Sequence, residues 1–274
     1  MKKTICLVPS VLNEAQSLDK FLKHHSWVDE IIVVDSGSRD NSESVCKAYN
    51  RKFIFRSVNG NYNQRAAWVV KQTTADWVFF IDPDEFISEE LKEEILSFLS
   101  SKDNRYAAYE TRRINYFMDK RLENGGWSGY SLKLFRKGFV EFKGDAYHEK
   151  PFVNGQIGRL KGSVHHYPSS NIYWMLQKLN YISEFDLNEY YNKFGVLTER
   201  KFKWLLLTKP FKNFWKGYIK KKGYKDGLHG FIYAALIWAE DVIRICKYGE
   251  KFIVKNPNLL PQDKLSDPWE CRKR

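Results

Sequence analysis

The sequence predicts an α/β fold with a mixed, mainly parallel central sheet, followed by a helical C-terminal region. Short apolar runs that end in turn residues alternate with amphipathic segments over the first hundred residues. After residue 104 the pattern changes to longer stretches of alternating polar and apolar residues, and from about residue 171 the periodicity is helical. Alternating strands and helices with short connections are typical of a parallel sheet covered by helices.

Four apolar runs in the first hundred residues are predicted to be strands of this sheet. They cover residues 4–9, 30–35, 52–57 and 76–81. Strands buried on both faces read as continuous apolar runs, which is the pattern of TICLVP, EIIVVD and DWVFFI. The helices predicted between and after these strands cover residues 14–24, 64–72 and 89–99.

The rest of the chain divides into a strand-rich and a helical part. Residues 106–116 and 130–136 alternate as strands of a mixed sheet do, and a glycine-rich loop at 124–129 separates them. Residues 140–166 are predicted to be irregular, with short strands only. Helices are predicted over 171–192, 199–222 and 226–247. We therefore expect an α/β domain over residues 1–170, a basic helical region over 171–255 and a tail over 256–274.

Composition excludes several classes of protein. Of the 274 residues, 43% are hydrophobic and 16% aromatic, which allows a sizeable core and excludes a disordered chain. No apolar run approaches the ~20 residues that span a bilayer, and the N-terminus becomes polar too soon for a signal peptide. The four cysteines form neither a CxxC motif nor a disulfide framework. These features predict a protein of the reducing cytoplasm.

Charge is distributed unevenly along the chain, whose formal net charge is +12. The first hundred residues carry 12 basic and 15 acidic side chains, whereas residues 200–225 carry ten basic side chains and no acidic one. Bulky apolar residues are interleaved with these lysines, as in helices that lie at a membrane interface. A concentrated basic surface indicates an anionic partner, either membrane headgroups or nucleic acid. An alternative is a solvated helix packed on the α/β domain.

Polar side chains cluster where three of the predicted strands end, and open α/β sheets bind ligands at such ends. The first strand ends at Pro9 and is followed by Glu14, and the second ends at Asp35. The fourth is followed by the triplet Asp82-Pro83-Asp84. Alternatively, Asp35 caps the following helix. The chain has neither GxGxxG nor GxxxxGK[ST], which argues against a dinucleotide or P-loop site.

The two carboxylates of the triplet repel each other unless a cation lies near them. Hard oxygen ligands suit Mg²⁺ or Mn²⁺, which use few protein carboxylates and complete their shell with phosphate and water. The alternative is a solvated acidic turn before a helix, because the first turn of a helix also favours acidic residues.

Three segments in this order and spacing, VPSVLNEAQSL, IIVVDSGSRDNS and ADWVFFIDPDE, resemble glycosyltransferase family 2. Later segments, GGWSGYSLKLFRKG, AYHEK, SVHHYPSSN and PFKNFWKGYIKKKGYKDGLHGFIYA, resemble its bacterial lipopolysaccharide-core beta-glucosyltransferase subgroup. The resemblance implies a GT-A type nucleotide-diphospho-sugar transferase fold. It also implies that residues 1–100 bind the nucleotide-sugar and that residues 101–170 form the acceptor side.

The resemblance implies a role for each matching residue on the donor side. Asp35 corresponds to the aspartate that bonds the uracil ring of a UDP-sugar, and Pro9 and Glu14 line the nucleoside pocket. Arg65 corresponds to a basic position near the nucleotide. Asp82 corresponds to a residue near the ribose and the water shell of the metal.

The resemblance also implies residues for the metal, the acceptor and the catalytic base. Asp84 corresponds to the direct ligand of Mn²⁺ or Mg²⁺, and His166 to a late histidine that adds a ligand. A structural, hydrogen-bonded histidine is the alternative for His166. Glu149 corresponds to the base that deprotonates the acceptor, with Asp145 as the alternative. Trp127 is expected to bind the acceptor sugar or to fill the underside of its own loop.

The sequence therefore predicts an inverting, metal-dependent glycosyltransferase. It would move a sugar from a nucleotide-diphospho-sugar, expected to be a UDP-sugar, to a lipid-linked saccharide such as lipopolysaccharide core, at the inner face of the plasma membrane. Another glycan or a protein acceptor is an alternative. Nucleic-acid binding through the basic helices and nucleotidyl transfer are alternatives from other classes. Nucleic acid is not expected as a partner, because an acidic sheet edge repels it.

Overall fold

The computed structural model describes residues 2–56, 62–102, 105–142, 151–168, 171–185 and 187–255. The chain divides into two compact units. The first, which we call the sheet unit, comprises Met1–Ile114 and Gly129–His166, and the second, the helical unit, comprises Asn115–Ser128 and Tyr167–Arg274.

The strands of the described residues form a large mixed sheet and one small hairpin. They are β1 (Ile5–Val8), β2 (Ser10–Val11), β3 (Glu30–Asp35), β4 (Lys52–Phe55), β5 (Trp77–Phe80), β6 (Glu85–Ile87), β7 (Tyr106–Phe117), β8 (Lys120–Leu122), β9 (Gly129–Arg136), β10 (Val140–Glu141), β11 (Phe152–Val153) and β12 (Gln156–His166). The order along the sheet is β2-β3-β1-β5-β9-β7-β12-β6, with β4 beside β3 and β8 beside β7. The hairpin pairs β10 with β11.

The helices cover the sheet and build the second unit. Those of the sheet unit are α1 (Ala15–His24), α2 (Ser42–Ala48), α3 (Tyr62–Val70) and α4 (Glu89–Ser100). Those of the helical unit are α5 (Ile172–Phe185), α6 (Leu187–Phe194), α7 (Glu199–Phe214) and α8 (Gly227–Gly249), with π-helical turns at Trp215–Lys220 and Glu250–Val254 and a 3₁₀ turn at Gly223–Asp226.

The N-terminal part of the sheet is parallel, as the apolar runs predict. β1 lies between β3 and β5, and all four of its side chains are buried. Apolar clusters lie on both faces of these strands. On one face, α1 inserts Leu18, Phe21 and Leu22, which share one side of the helix because they are three and four residues apart. The predicted α/β class with a mixed central sheet and a helical C-terminal region is confirmed.

The C-terminal part of the sheet is antiparallel and corrects one expectation. Residues 140–166 were expected to be irregular, but Gln156–His166 forms the eleven-residue strand β12, which pairs with β6. Glycines within this strand look like loop residues in the sequence, although they serve close packing. A Cβ at Gly162 would lie 2.3 Å from the backbone nitrogen of Leu91 in α4. The strand therefore needs glycine so that the helix can lie against its backbone.

The helical unit has its own apolar core. Leu187, Tyr190, Leu205, Ile245 and Tyr248 are buried together where α6, α7 and α8 pack. The prediction of helical structure is correct in this region, but the periodicity changes inside one predicted element. The helix expected over 199–222 is α-helical to Phe214 and continues as a π-helix over Trp215–Lys220.

Replacing Gly162 with alanine should destabilise the sheet unit, because the new methyl group would overlap the backbone of α4. We expect the free energy of unfolding to fall by about 1–3 kcal/mol, the usual cost of overpacking a core. Urea denaturation measures this change. Gly129→Ala is the matched control, since a Cβ there meets nothing within 4 Å. Equal stability of the two variants would contradict the packing role of Gly162.

His25 is fully buried between α1 and β6 and bonds to both. Its Nδ1 donates to the carbonyl oxygen of Phe21 at 2.9 Å, and the N–H of Ile87 donates to its Nε2 at 3.2 Å. Only the neutral ring can make both bonds. Burial, and next the neighbouring His24, lower the pKa of His25 from its ordinary 6.5 to about 3.

Stability should therefore fall in acid. The unfolded chain protonates His25 below pH 6.5 while the folded chain resists protonation down to about pH 3, so the stabilisation present above pH 6.5 is lost as the pH falls through this window. We expect a contribution of up to about 1.4 kcal/mol per pH unit. Urea titrations from about pH 7 to about pH 4 should show this slope in the wild type and a smaller one in His25→Asn. An NMR titration in which the wild-type His25 ring protonates near its ordinary pKa would contradict the assignment.

Candidate active site

A cavity of about 490 Å³ opens at the carboxyl ends of the parallel strands. Its walls come from the ends of β1, β3 and β5, from α3, and from one residue each of β2, β7 and β9. The lining residues are Val8, Ser10, Val34, Arg65, Ala66, Val69, Phe80, Ile81, Asp82, Arg113 and Lys133. The volume is within the range of small-molecule sites. Two residues predicted to bind the nucleotide, Arg65 and Asp82, lie on its wall.

Asp35 ends β3 and holds the loop that follows it. Its carboxylate accepts the N–H of Gly37 at 2.9 Å and that of Ser38 at 3.1 Å. A carboxylate has about four acceptor positions, so these bonds leave room for a ligand donor. The helix-capping alternative is wrong for Asp35, because its bonds close the loop at Gly37 and Ser38 and the following helix has Asn41 at its N-cap. Its role in binding uracil stays a prediction.

Asp40, a few residues further on, is structural. One carboxylate oxygen accepts both the N–H and the hydroxyl of Ser42, at 3.0 Å and 2.6 Å, and the other accepts the N–H of Ala15 at 2.9 Å. Burial acts to raise the pKa of Asp40, but these hydrogen bonds outweigh it and hold the pKa below its ordinary value. The residue ties the start of α1 to the start of α2.

Pro9 and Glu14 lie on the connection between β1 and α1. The carbonyl oxygen of Pro9 accepts the N–H of Val34 at 2.9 Å, which joins the ends of the two strands. The carbonyl oxygen of Glu14 accepts the N–H of Leu18 and so begins α1. Both residues are close in sequence to Val8 and Ser10 of the cavity wall. Their contact with a nucleoside stays a prediction.

Asp84 and His166 are brought together by the sheet. β6 and β12 pair antiparallel with His166 opposite Glu85, the residue after Asp84. The Oδ2 atom of Asp84 lies 3.4 Å from Nε2 of His166, and the two side chains are 23% and 12% exposed. The sequence proposes each of these residues separately as a metal ligand, and the structure places the two side by side.

One carboxylate and one imidazole suit Mn²⁺, which accepts both ligand types. No group of three or more acidic, histidine or cysteine side chains is arranged to hold a metal within the described ranges. Two protein ligands are nevertheless compatible with a divalent ion whose remaining positions are filled by substrate phosphate and water. Mn²⁺ as the occupant stays a prediction.

Glu85, Lys133 and Arg113 form a charged cluster that the sequence did not predict as part of the site. The side chain of Glu85 is fully buried, and its oxygens lie 2.7 and 2.8 Å from Nζ of Lys133 and 2.8 Å from Nε of Arg113. Oδ2 of Asp82 lies 3.6 Å from the same Nζ. Burial acts to lower the pKa of Lys133, but Asp82 and Glu85 outweigh it and raise the pKa above its ordinary value.

A signal for this cluster exists in the sequence. Lys133 shares one face of β9 with Phe135, which is 2% exposed, because side chains two residues apart lie on the same side of a strand. A lysine on the buried face of a strand needs an anionic partner. The strand order that supplies Glu85 as this partner is not visible in local sequence.

Trp127 lies in a loop of the helical unit, and other residues of that unit contact this loop. Its ring centroid is 4.7 Å from that of Tyr233 in α8. The buried carboxylate of Asp226 accepts the backbone N–H of Asn124 at 3.0 Å and its side-chain amide at 2.8 Å. The half-buried indole thus packs against α8 inside its own unit. Acceptor binding by Trp127 stays a prediction.

The predicted catalytic base is not among the described residues. Glu149 and the alternative Asp145 lie in the segment 143–150, which is outside the described ranges. The predicted tail at 256–274 is outside them too. Both assignments of the base stay predictions.

Comparisons with known proteins identify the family of this chain. The family model described as "Glycosyl transferase family 2" matches residues 7–156. An uncharacterized glycosyltransferase of Rickettsia typhi is 26% identical over 96% of this chain and 92% of its own length. A lipopolysaccharide core biosynthesis glycosyltransferase of Rhizobium meliloti is 24% identical over 81% of this chain and 83% of its own.

Similarity to solved structures is weaker. Glucosyl-3-phosphoglycerate synthase of Mycobacterium tuberculosis, in complex with Mn²⁺ and UDP-glucose, has 22% identity and a TM-score of 0.35. The match covers 40% of this chain and 44% of that one. The family match is the stronger finding, since it spans more than half of the chain and includes the cavity-lining residues from Val8 to Lys133. The chain therefore belongs to glycosyltransferase family 2.

Proposed function

We propose that this glycosyltransferase is an inverting, metal-dependent enzyme that moves a sugar from a UDP-sugar to a lipid-linked saccharide such as lipopolysaccharide core. The observation that carries the proposal is the cavity at the strand ends. Arg65, Arg113 and Lys133 supply positive charge to its wall. Asp84, which lies beside His166, comes two residues after the wall residue Asp82. Such a site matches a ligand that has a flat base, an anionic diphosphate and a bound cation.

The donor would be bound by separate parts of the cavity. The apolar side chains of Val8, Val34 and Val69 suit the nucleoside, and the carboxylate of Asp35 beyond them has acceptor capacity for an N–H of the base. Arg65, whose Nη1 lies 3.4 Å from the hydroxyl of Ser36, would face the phosphates. This division supports a nucleoside diphosphate as the leaving group.

Asp84 and His166 would hold the divalent ion. When bound, Mn²⁺ or Mg²⁺ would neutralise part of the charge that accumulates on the departing diphosphate. Asp82 is 54% exposed on its side chain and 3.6 Å from Lys133, so it suits the ribose or a water molecule better than direct ligation. These roles follow the predicted ones.

Transfer needs a base on the acceptor side. The acceptor hydroxyl would attack the anomeric carbon from the face opposite the diphosphate, which inverts the configuration. As the new carbon–oxygen bond forms, the bond to the diphosphate breaks and UDP leaves with the electron pair. The hydroxyl proton would go to Glu149, or to Asp145 as the alternative. Trp127 would offer an apolar face to the acceptor sugar.

Support for the acceptor class comes from the relatives and from the helical unit. The Rhizobium relative belongs to lipopolysaccharide core biosynthesis, and the chain matches most of its length. A lipid-linked acceptor requires the enzyme to approach a membrane. No helix among the described residues has both the length and the apolar character needed to cross one.

The helical unit carries a surface suited to membrane docking. Four large apolar side chains lie three or four residues apart along α7 and the turn after it, and each is 59–67% exposed: Trp204, Leu207, Phe211 and Trp215. We call these residues the apolar stripe. Exposed aromatic and aliphatic side chains in a row are costly in water and mark an interaction surface.

Lysines flank the apolar stripe and fit an anionic lipid surface. Lys203, Lys212, Lys216 and Lys220 are exposed on the same helical segment. Each lysine near an anionic leaflet contributes about 1 kcal/mol, and aromatic rings anchor at the same depth. We therefore propose peripheral attachment to the inner face of the plasma membrane through the apolar stripe. The exposed side chain of Leu207 has no aromatic face on which a nucleobase could stack, so the row favours a lipid surface over nucleic acid.

Donor and metal binding can be tested by thermal shift. UDP should raise the melting temperature of the wild type more with Mn²⁺ than without it, and a panel of nucleotide-sugars should identify the donor. Asp84→Asn should lose the Mn²⁺-dependent part and lower turnover about 10²- to 10³-fold, because one group that stabilises the leaving charge is weakened. Asp119→Asn is the control, since Asp119 lies on an exposed turn. Full Mn²⁺-dependent binding and turnover in Asp84→Asn would refute the site.

Membrane docking can be tested by vesicle sedimentation. Replacing Trp204, Phe211 and Trp215 together with serine should lower partitioning into anionic vesicles at least tenfold, because the burial of three large apolar side chains is lost. The matched control replaces three exposed apolar residues of α5, Ile172, Tyr173 and Leu176, with serine. Equal loss in both variants would mean that the apolar stripe is not the docking surface.

A further inference from the structure

Glu85 has an unusual environment for a surface-loop glutamate. It directly follows the acidic triplet, yet its side chain is fully buried at the start of β6. Two cations contact it, Lys133 from β9 and Arg113 from β7. Its Oε2 also accepts the backbone N–H of Asp82 at 3.0 Å. The carboxylate thus joins the acidic turn to two strands that are distant in sequence.

Three cations line the cavity, Arg113, Lys133 and Arg65, and Asp82 is the acidic residue among the lining side chains. Cations on a concave wall attract an anionic ligand at short range.

The two cations keep donor capacity beyond Glu85. An ammonium group has three N–H donors, and Lys133 directs hydrogen bonds to the two oxygens of Glu85. Oδ2 of Asp82, 3.6 Å from the same Nζ, is an ion-pair partner beyond hydrogen-bond distance. Arg113 meets the same carboxylate through Nε, and the four N–H groups of its terminal nitrogens are separate from this contact. The side chains of Lys133 and Arg113 are 22% and 31% exposed, so both reach the open side.

We propose that Lys133 and Arg113 form a binding pair for the diphosphate of the donor, and that Glu85 is the positioning residue that holds both cations. This inference rests on the proposed function and names the groups that bind the anionic part of its donor. A guanidinium suits two phosphate oxygens at once, and an ammonium acts as a compact point charge beside it.

Glu85 offsets the repulsion between the two cations and orients their side chains. Two cations aimed at one point repel each other, and long side chains lose their orientation without an anchor. A buried carboxylate between them removes the repulsion and fixes both stems before the ligand arrives. Preorganised charge of this kind needs no rearrangement when the leaving group becomes more negative.

The pair also predicts that part of the donor affinity is independent of metal. Side-chain cations remain in place when the divalent ion is removed, so UDP should still bind more tightly than uridine. The experiment therefore measures binding in the presence of EDTA by calorimetry, with uridine, UDP and inorganic pyrophosphate as probes.

In EDTA, the wild type should bind UDP at least about tenfold more tightly than uridine. Lys133→Met and Arg113→Gln should each weaken UDP binding about tenfold and leave uridine binding unchanged, because each loses one charge-assisted contact. Glu85→Gln should weaken UDP binding about five- to tenfold, again with uridine unchanged. Lys133→Arg should retain most of the affinity, since it keeps the charge.

Two variants serve as matched controls. Lys161→Met removes an exposed lysine of β12, and Arg112→Gln removes the arginine next to Arg113, on the opposite face of β7. Neither should change UDP binding.

Each remaining outcome decides a separate point. UDP and pyrophosphate affinities at the wild-type level in Lys133→Met and Arg113→Gln would overturn the binding pair. Unchanged or tighter UDP binding in a folded Glu85→Gln would overturn the positioning role. If Glu85→Gln fails to fold, the Lys133 and Arg113 variants still decide the pair. UDP and pyrophosphate binding that depends on the pair, together with a wild type that releases UDP from no UDP-sugar, would refute the proposed function and leave the pair standing.

Discussion

The antiparallel pairing of the short strand β6 with β12 is the constraint on which the site depends. β6 has only three residues, and a strand of this length is not stable alone. It is held on one side by β12 and on the other by the ring of His25, which accepts the N–H of Ile87. This fixed position sends Glu85 into the core and sets Asp84 beside His166. An acidic turn that could have been a solvated loop is thereby given a defined geometry.

The sequence was sufficient wherever one local pattern determines the structure. The runs that became β1 and β5, and the middle of β3, are apolar because both faces of these strands are buried. Their length of four to six residues favours strands over helices. Asp82 and Asp84 could be proposed because they directly follow such a strand. β12 could not be predicted, because Gly158 and Gly162 weaken its strand pattern. These positions need glycine because the ring of Tyr109 and the backbone of Leu91 in α4 pack directly against them.

The charged cluster escaped prediction for a related reason. A glutamate after an acidic triplet reads as exposed, and nothing within several residues of Glu85 indicates its burial. Its partners Arg113 and Lys133 reach it only because β9 and β7 lie between β5 and β12 in the sheet. Regional charge did not indicate the cluster either: the first hundred residues are acidic in sum and supply only Arg65 of the three lining cations, whereas Arg113 and Lys133 lie further along the chain. The order of the strands in the sheet brings these groups together, and this order cannot be predicted from composition.

The two charged surfaces of the chain follow different physical rules. In the helical unit the lysines are exposed and numerous, so their attraction to an anionic surface is additive, long-ranged and weakened by salt. In the sheet unit the cations are few, partly buried and tied to Glu85, so they act at short range on one anion. A divalent ion held by two protein ligands keeps most of its coordination positions for substrate and water, and its affinity therefore depends on the nucleotide being present. Cations fixed to the sheet need no such partner. On the proposed function, a donor that meets them first would bring the diphosphate to the place where Asp84 and His166 would hold the metal, so the parts of the site would assemble in a defined order.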